Sequence, residues 1–151
     1  MVCLGNICRS PLAEGILKQK TKEKDVVVDS AGTASYHIGK LPDNRSIEIA
    51  NKYKIDISYQ RARQFSTMDF DNFDKIYAMD THNYASIISL SRNQSDREKV
   101  DLILNEINPK SFNSVPDPYY GEGDGFQKVY DMLDEACDNI MKKLWKKEDY
   151  I

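Results

Sequence analysis

The sequence predicts an α/β fold in which an open, parallel sheet is covered by helices on both faces. Three short apolar runs, at residues 26–28, 75–79 and 100–104, have the length and composition of buried strands, and a turn at residues 29–32 follows the first. Segments with helical spacing of apolar residues alternate with these runs, a pattern typical of parallel βαβ units. Such sheets bind ligands at the carboxyl ends of their strands.

Four helices are predicted around these strands. The first covers residues 11–20 and begins with a proline, which suits a first turn because it has no N–H group to leave unpaired. Residues 46–53 have apolar side chains on one face, and a third helix runs to Leu90 from an N-cap at Asp80 or Thr81. The last helix is the clearest, because its apolar residues recur at helical spacing: Phe126, Val129, Tyr130, Leu133, Cys137, Ile140, Met141 and Leu144.

Length and composition indicate one ordinary globular domain over residues 1–151. The chain has 40% hydrophobic and 30% charged residues, and at this length folding buries about 70% of the surface of the unfolded chain. A net charge of -3 provides no basic field, so we expect no nucleic-acid partner. Because no apolar run reaches the roughly 18 residues of a membrane span, and no signal peptide precedes the first motif, we expect no membrane partner.

The cysteines indicate a reduced, cytoplasmic protein. There are three of them, an odd number, and Cys3 and Cys8 lie close together near the N-terminus. A disulfide framework in a secreted domain normally uses an even and denser set, so we expect free thiols. Cys137 lies on the apolar stripe of the last helix and is predicted to be a core residue. His37 and His82 lack the partner spacing of a metal site or a catalytic triad, and we assign both to the surface or to local hydrogen bonds.

Residues 3–11, with the sequence CLGNICRSP, have the features of a phosphate-binding loop followed by a helix. Gly5 and Asn6, which adopt left-handed backbone geometry most readily, lie between Cys3 and Arg9. Such a loop turns backbone N–H groups inward around an anion, and the helix adds the positive end of its dipole. Arg9 can hold two phosphate oxygens, and the surrounding dipoles favour the thiolate of Cys3. The phosphate-binding residues of this loop are predicted to be Leu4, Gly5, Asn6, Ile7, Cys8, Arg9 and Ser10.

Asp117 is the candidate general acid. A mechanism with a cysteinyl-phosphate intermediate needs an acid that protonates the departing oxygen. The alternative is a simple turn residue, since Asp-Pro followed by Gly is ordinary loop chemistry. Pro116 and Pro118 stiffen the chain on both sides of the carboxylate, however, and Tyr119 and Tyr120 supply flat apolar faces that suit a planar phenyl phosphate.

Together these motifs resemble one known family. The loop at residues 3–11 is similar, nearly residue for residue, to the signature loop of the low-molecular-weight protein tyrosine phosphatases. The resemblance continues in the family's order through DSAG at 29–32, RARQ at 61–64, MD at 79–80 and DPYYG at 117–121. It implies a three-layer, Rossmann-like fold with four parallel strands. It also implies hydrolysis of phosphotyrosine, in proteins and in small aryl phosphates, without a metal or other cofactor.

The resemblance also assigns roles to single residues. Cys3 is the nucleophile, Arg9 the phosphate clamp and Asp117 the general acid. Cys8 matches a second cysteine that traps oxidised Cys3 as a disulfide, and the alternative for Cys8 is a small filler of the loop. Supporting roles fall to Asn6, which holds the strained turn, to Ser30, its hydrogen-bond partner, and to the pocket walls Leu4, Tyr36, Tyr119 and Tyr120.

A protein with this function is expected to have phosphotyrosine-containing proteins as its partners. We further expect inhibition by phosphate or vanadate, and a protein that is a monomer or a weak dimer.

Two features depart from the pattern of the family. Only Met1 and Val2 precede Cys3, where the family has a full strand in the middle of the sheet, and we expect two residues to be too few for such a strand. The first strand is therefore expected to be truncated, with apolar residues missing upstream. Tyr59 and Gln60 stand near the position where many relatives carry a histidine that supports the loop, so we expect this support to be altered.

Two alternative functions share this loop. Arsenate reductases use the same loop and fold, but their redox relay needs further cysteines after the third strand, and residues 80–100 contain none. A non-catalytic phosphotyrosine-binding module is the second alternative, if the shortened start or the altered support has abolished catalysis. The presence together of Cys3, Arg9, Ser10 and Asp117 argues against that module.

Overall fold

The computed structural model describes residues 1–148 and contains a sheet of four parallel strands. The strands are β1 (Val2–Cys3), β2 (Ala31–Gly32), β3 (Ile76–Ala78) and β4 (Val100–Leu102). Their order in the sheet is β2-β1-β3-β4, so β1 is central. Val2 is in register with Ala31 on one side and with Ala78 on the other. The predicted α/β fold with four parallel strands is therefore confirmed.

Helices flank the sheet on both faces. They are α1 (Arg9–Lys20), α2 (Asn44–Lys52), α3 (Met68–Asn72), α4 (Thr81–Ser89), α5 (Gln94–Glu98), a 3₁₀ turn (Ile103–Glu106) and α6 (Gly125–Glu148). Within residues 1–148, none of these helices is both long and apolar enough to cross a membrane.

Two buried clusters separate the sheet from its helices and give the fold three layers. Because successive residues of a strand point to opposite faces, Cys3 and Tyr77 pack against α1, α2 and α6. Val2, Ile76 and Ala78 pack on the other face, against α3 and α4. Both faces of the sheet are thus covered, as parallel sheets require.

The strand predicted at residues 26–28 is wrong in position, and so is the turn predicted at 29–32. The ladder with β1 begins where the Met1 ammonium group donates to the Asp29 carbonyl at 3.0 Å. It continues as Ala31 N–H donates to the Met1 carbonyl at 3.0 Å and Thr33 N–H to the Cys3 carbonyl at 2.9 Å. Propensity favoured the valines, but a strand also needs a partner, and Val27 is 80% exposed.

The first residues form the central strand of the sheet, although this strand is only two residues long, and the expectation of a truncated first strand stays a prediction. Val2–Cys3 pairs with β2 on one side and with β3 on the other. Met79 N–H donates to the Val2 carbonyl at 2.9 Å, which continues the pairing with β3 beyond its last strand residue. Both β1 residues are 3% exposed.

The strands predicted at 75–79 and 100–104 are confirmed with shorter bounds. The four predicted helices are also confirmed, with bounds that differ by a few residues. Helix α1 begins at Arg9, before the predicted Pro11, and the proline is tolerated there because the first four N–H groups of a helix have no partner within the helix. Asp80 is the N-cap of α4, since its carboxylate accepts from Asn83 N–H at 2.7 Å. Cys137 is fully buried, as predicted.

Candidate active site

The loop that follows β1 wraps around the sulfur of Cys3. Asn6 has a φ of 56°, in the left-handed region, and this turns its N–H group toward Cys3 Sγ at 3.2 Å. The hydroxyl of Ser10, in the first turn of α1, lies 3.0 Å from the same sulfur. Cys3 is 3% exposed and lies at the base of the loop, directly before the N-terminus of α1. A backbone N–H of the loop and a hydroxyl of α1 therefore both lie against this sulfur.

The side chain of Asn6 connects the loop to the segments behind it. Its Nδ2 donates to Ser10 Oγ at 2.8 Å and to Ser30 Oγ at 2.9 Å. Its Oδ1 accepts from the backbone N–H of Arg63 at 3.1 Å. The amide is 3% exposed, and these three bonds fix its orientation.

Gly32 at the end of β2 allows these segments to approach so closely. A Cβ atom at this position would lie 2.8 Å from the Leu4 carbonyl oxygen, which is closer than van der Waals contact permits. A side chain here would therefore push β2 away from the loop.

Arg9 is a buried guanidinium held from behind by two acceptors. Its Nη1 donates to Asp80 Oδ2 at 2.6 Å and to the Val115 carbonyl at 3.0 Å, and the residue is 2% exposed. Its Nη2 lies 3.8 Å from Asp117 Oδ2. The role of Asp80 in this site was not predicted. Its position directly after β3 is a signal that could have indicated the role, because ligand-binding groups lie at the carboxyl ends of strands.

Asp117 lies at the rim of the site. Its side chain is 38% exposed, and its Oδ1 accepts from Tyr119 N–H at 3.0 Å. Val115, two residues earlier, anchors the loop because its N–H donates to the Met79 carbonyl at 2.8 Å. The rings of Tyr119 and Tyr120 pack edge to face, with centroids 4.8 Å apart.

Arg45 joins this acid loop to the N-terminus of α2, a contact that the sequence did not reveal. Its Nη2 donates to the Tyr119 carbonyl at 3.2 Å, and its guanidinium also binds the carboxylate of Asp43. The hydrogen bonds from Arg45 lower the pKa of the Asp43 carboxyl. Asp43 N–H in turn donates to the Ile7 carbonyl at 2.8 Å, so α2 supports both the acid loop and the loop around Cys3.

A cavity of about 280 Å³ opens between these elements. The structure brings Cys3, Arg9 and Asp117 together in its wall, whereas Ser10, Asn6 and Ser30 form the hydrogen-bonded layer behind. The full lining consists of Cys3, Leu4, Gly5, Ile7, Cys8, Arg9, Tyr36, His37, Asp117, Tyr119 and Tyr120.

His37 is a lining residue that sequence reasoning missed. It packs so closely over the loop that a Cβ atom on Gly5 would lie 2.9 Å from its Cδ2 atom, and it contacts Tyr36 edge to face. His37 was assigned only to the surface or to local hydrogen bonds, and it is partly exposed. Its place in this cavity could be revealed only by a tertiary contact. His82 is exposed, as predicted.

Cys8 lines the cavity as a protonated thiol. It is 5% exposed, and burial raises its pKa to about 12, so it is not ionised at neutral pH. Its backbone carbonyl accepts from Ser46 Oγ at 3.0 Å, which ties it to α2. The two cysteines of the loop thus have different surroundings, since the sulfur of Cys3 accepts from Asn6 N–H and is hydrogen-bonded to the Ser10 hydroxyl.

Tyr59 and Gln60, at the position where support was expected to be altered, contact α1. Gln60 Nε2 donates to the Pro11 carbonyl at 2.9 Å in a buried contact. The Tyr59 hydroxyl donates to Glu14 and accepts from Lys18. These residues therefore brace the helix that follows the loop.

Comparison with known proteins agrees with this geometry. The model of the family described as low molecular weight phosphotyrosine protein phosphatase matches residues 1–149. The chain belongs to this family. It is accordingly a phosphoric monoester hydrolase, a low molecular weight protein-tyrosine-phosphatase.

Individual relatives support the assignment. The low molecular weight phosphotyrosine protein phosphatase of Schizosaccharomyces pombe is 39% identical, over 95% of this chain and 94% of that protein. The low molecular weight protein-tyrosine-phosphatase PtpA of Staphylococcus aureus is 38% identical, over 96% of this chain and 92% of that protein. The crystal structure of a protein tyrosine phosphatase from Entamoeba histolytica, with Hepes in its active site, has a TM-score of 0.89 and 36% identity, and the match covers 97% of this chain and 96% of that one.

Proposed function

We propose that this phosphatase hydrolyses phosphotyrosine through a cysteinyl-phosphate intermediate on Cys3. The observation that carries the proposal is the pair of hydrogen bonds at Cys3 Sγ, from Asn6 N–H at 3.2 Å and with the Ser10 hydroxyl at 3.0 Å, in a cavity that Arg9 and Asp117 also line. A sulfur held in this way is a nucleophile that faces an anion site.

In the first step the thiolate of Cys3 attacks phosphorus in line with the bond to the tyrosine oxygen. The new S–P bond forms as that P–O bond breaks, and the electron pair leaves with the phenolate oxygen. Asp117, as the acid, donates its proton to this oxygen, so tyrosine departs neutral. Arg9 and the backbone N–H groups of the loop stabilise the negative charge on the three equatorial oxygens.

In the second step water attacks the phosphorus of the intermediate. Asp117, now a carboxylate, takes a proton from this water as the new O–P bond forms. The S–P bond breaks, inorganic phosphate leaves, and Cys3 returns as the thiolate. Ser10, 3.0 Å from the sulfur, stabilises the departing thiolate by donating its hydroxyl hydrogen. Arg9 and the loop supply the positive field for both steps, so the proposal requires no cofactor.

The walls of the cavity favour an aryl phosphate over an alkyl phosphate. Leu4 and Tyr36 line one part of it, and Tyr119 and Tyr120 line the part that contains Asp117. Aromatic and apolar walls bind a flat phenyl ring well and add little for a short polar chain. We therefore propose phosphotyrosine in proteins as the substrate, with phosphate and vanadate as inhibitors that occupy the same loop.

Three further proposals concern redox regulation, cellular location and oligomeric state. When a peroxide oxidises the Cys3 thiolate to a sulfenic acid, the Cys8 thiol attacks that sulfur and water leaves, and the resulting Cys3–Cys8 disulfide protects the nucleophile from irreversible oxidation. The protein works in the cytoplasm, where free thiols such as Cys3, Cys8 and Cys137 persist. It acts as a monomer or weak dimer.

Replacement of Cys3 by serine tests the mechanism. Cys3→Ser is expected to abolish turnover of para-nitrophenyl phosphate because a serine hydroxyl in this loop is not ionised, while phosphate still binds, as measured by calorimetry. Appreciable turnover by this variant would exclude Cys3 as the nucleophile. The wild-type assay also separates the alternatives, since a binding module would show no turnover, and an arsenate reductase would reduce arsenate with thioredoxin.

A further inference from the structure

An ion-pair cluster lies behind the loop that holds Cys3, and the mechanism above does not use it. Arg63 Nε donates to Asp29 Oδ2 at 3.2 Å. Its Nη1 and Nη2 donate to the two carboxylate oxygens of Asp69 at 3.1 and 3.0 Å. Asp69 is 5% exposed and also accepts from Ser66 N–H at 2.9 Å, which fixes it in place. One guanidinium thus joins the segment before β2 to helix α3.

The residues of this cluster also hold the partners of Asn6. The backbone N–H of Arg63 donates to Asn6 Oδ1 at 3.1 Å, and its carbonyl accepts from Gly32 N–H at 2.8 Å. Asp29 Oδ1 accepts from the N–H of Ser30 at 2.8 Å, and Ser30 Oγ is the acceptor of Asn6 Nδ2. Asn6 has two partners outside its own loop, Ser30 and the backbone of Arg63. The Arg63 guanidinium restrains Ser30 through Asp29, and it restrains the backbone of its own residue directly.

Asn6 transmits this restraint to the nucleophile. Its backbone N–H faces Cys3 Sγ, and its Nδ2 orients the hydroxyl of Ser10 that lies against the same sulfur. The positive φ of Asn6 is a strained backbone conformation for a residue other than glycine, so the turn persists only where its surroundings hold it. A looser Asn6 side chain would allow both the Asn6 N–H and the Ser10 hydroxyl to move away from the sulfur.

We propose that Arg63 is a positioning residue for catalysis: by binding Asp29 and Asp69 together, its guanidinium fixes Asn6 and so keeps the Asn6 N–H and the Ser10 hydroxyl against Cys3 Sγ. The inference rests on the proposed role of Cys3 as nucleophile. Arg63 does not line the cavity, so its effect on rate is indirect, through the geometry of the loop.

Arg92 provides a matched control. It also binds two aspartates, Asp71 and Asp96, through its guanidinium, and it is 41% exposed at the side chain, against 36% for Arg63. Arg63→Ala is expected to lower kcat for para-nitrophenyl phosphate by roughly ten- to a hundred-fold, with a smaller change in KM, because small displacements of reacting groups have effects of this size. Arg92→Ala is expected to keep the wild-type kcat. Equal kcat values for the two variants would overturn the inference.

A double-mutant cycle with Asn6 separates positioning from general destabilisation. If Arg63 acts through Asn6, Arg63→Ala lowers kcat by less than about two-fold in an Asn6→Ala background, because coupled residues are not additive. Iodoacetate alkylation of Cys3 gives a second readout, and its rate should fall in Arg63→Ala but not in Arg92→Ala. If the kcat loss in the double variant equals the product of the losses in the two single variants, Arg63 does not act through Asn6. An unchanged alkylation rate in Arg63→Ala would lead to the same conclusion.

Asp29→Asn covers the case in which Arg63→Ala does not fold because it leaves the buried Asp69 carboxylate unpaired. The Asp29 side chain is 45% exposed, and an asparagine oxygen still accepts from Ser30 N–H, so this variant loses only the ion pair. Asp29→Asn should lower kcat, but by less than Arg63→Ala does. The kcat of Arg63→Lys should lie between the values of the wild type and of Arg63→Ala. A wild-type kcat in Asp29→Asn would refute the relay. Absence of Cys3-dependent turnover in the wild type would instead refute the proposed function.

Discussion

At the scale of single residues, Asp117 is the most exposed of the three proposed catalytic residues, since Cys3 is 3% exposed and Arg9 2%. Its carboxylate is 38% exposed, and its Oδ2 is 3.8 Å from Arg9 Nη2, which is beyond hydrogen-bond distance. The backbone N–H of Tyr119 holds the other oxygen at 3.0 Å. The carboxylate can therefore face an oxygen that leaves phosphorus above the loop without first breaking a tight ion pair.

Replacement of this carboxyl by an amide tests its role as the acid. Asp117→Asn is expected to lower kcat for phenyl phosphate by about 10²- to 10⁴-fold, since an amide cannot supply the proton. The loss should be much smaller for para-nitrophenyl phosphate, whose leaving group departs readily as an anion. Steady-state kinetics with both esters measures the difference. Asp124→Asn is the control, because this exposed acid in the same loop should show no dependence on the leaving group.

Whether a contact in the site could be predicted from the sequence depends on how far apart its two residues lie along the chain. Gly5, Asn6 and Arg9 identified the loop because their backbone and charge requirements fall within one short segment. Asp80, by contrast, reaches Arg9 across 71 residues, and His37 reaches the loop only through packing. Neither contact leaves a pattern in the sequence that spacing rules can detect.

At the scale of secondary structure, one side chain links helix α4 to the active site. Asp80 caps α4 through Asn83 N–H with its Oδ1 and binds Arg9 with its Oδ2. The helix start and the orientation of the guanidinium therefore depend on the same carboxylate, and two substitutions separate these roles.

Asp80→Asn is expected to keep the cap, because asparagine is as good an N-cap as aspartate, but to lose the charge that holds Arg9. Its kcat should fall by roughly ten-fold, and the free energy of unfolding should also fall, because the buried Arg9 guanidinium loses its charged partner. Asp80→Ala should lose about 1 kcal/mol in addition, as an uncapped helix does. Urea denaturation and para-nitrophenyl phosphate kinetics measure the two effects. Equal stability of both variants would show that the cap contributes little.

Strand β2 shows why element boundaries were harder to predict than element types. The valines at residues 26–28 have the higher strand propensity, yet the strand is Ala31–Gly32. Pairing with Val2–Cys3 decides the position, and Gly32 is needed there because the loop passes too close for a side chain. A partner strand and a close backbone approach are tertiary facts, and propensity does not contain them.

At the scale of the whole molecule, alternation of strands and helices was enough to predict the fold class. Parallel strands buried on both faces leave few topologies open, and the order β2-β1-β3-β4 places the ends of β1 and β3 side by side. Because these two strand ends are adjacent, Asp80 after β3 lies near the loop that follows Cys3 at the end of β1. The surface ion pairs that complete the molecule were not predictable in this way, because they join segments with no periodic pattern.

Three of these ion-paired carboxylates make the stability of the whole protein depend on pH. Hydrogen bonds from Arg92 lower the pKa of Asp71 and Asp96, and those from Arg45 lower the pKa of Asp43, below the ordinary value of 3.8. A carboxylate whose pKa is lower in the folded state stabilises that state above the unfolded value. This contribution is lost as the pH falls from 3.8 through the lowered pKa.

Arg92→Ala is therefore expected to lower the free energy of unfolding at about pH 7, and the difference from wild type should shrink as the pH falls toward about 2. Urea denaturation at several pH values in this range measures the dependence. Arg97→Ala is the control in helix α5, which begins just after Arg92. Arg97 bonds the neutral side chain of Gln94, so the effect of this substitution should not vary with pH. A constant difference between Arg92→Ala and wild type across the range would show that Arg92 stabilises the fold through packing rather than through its charge.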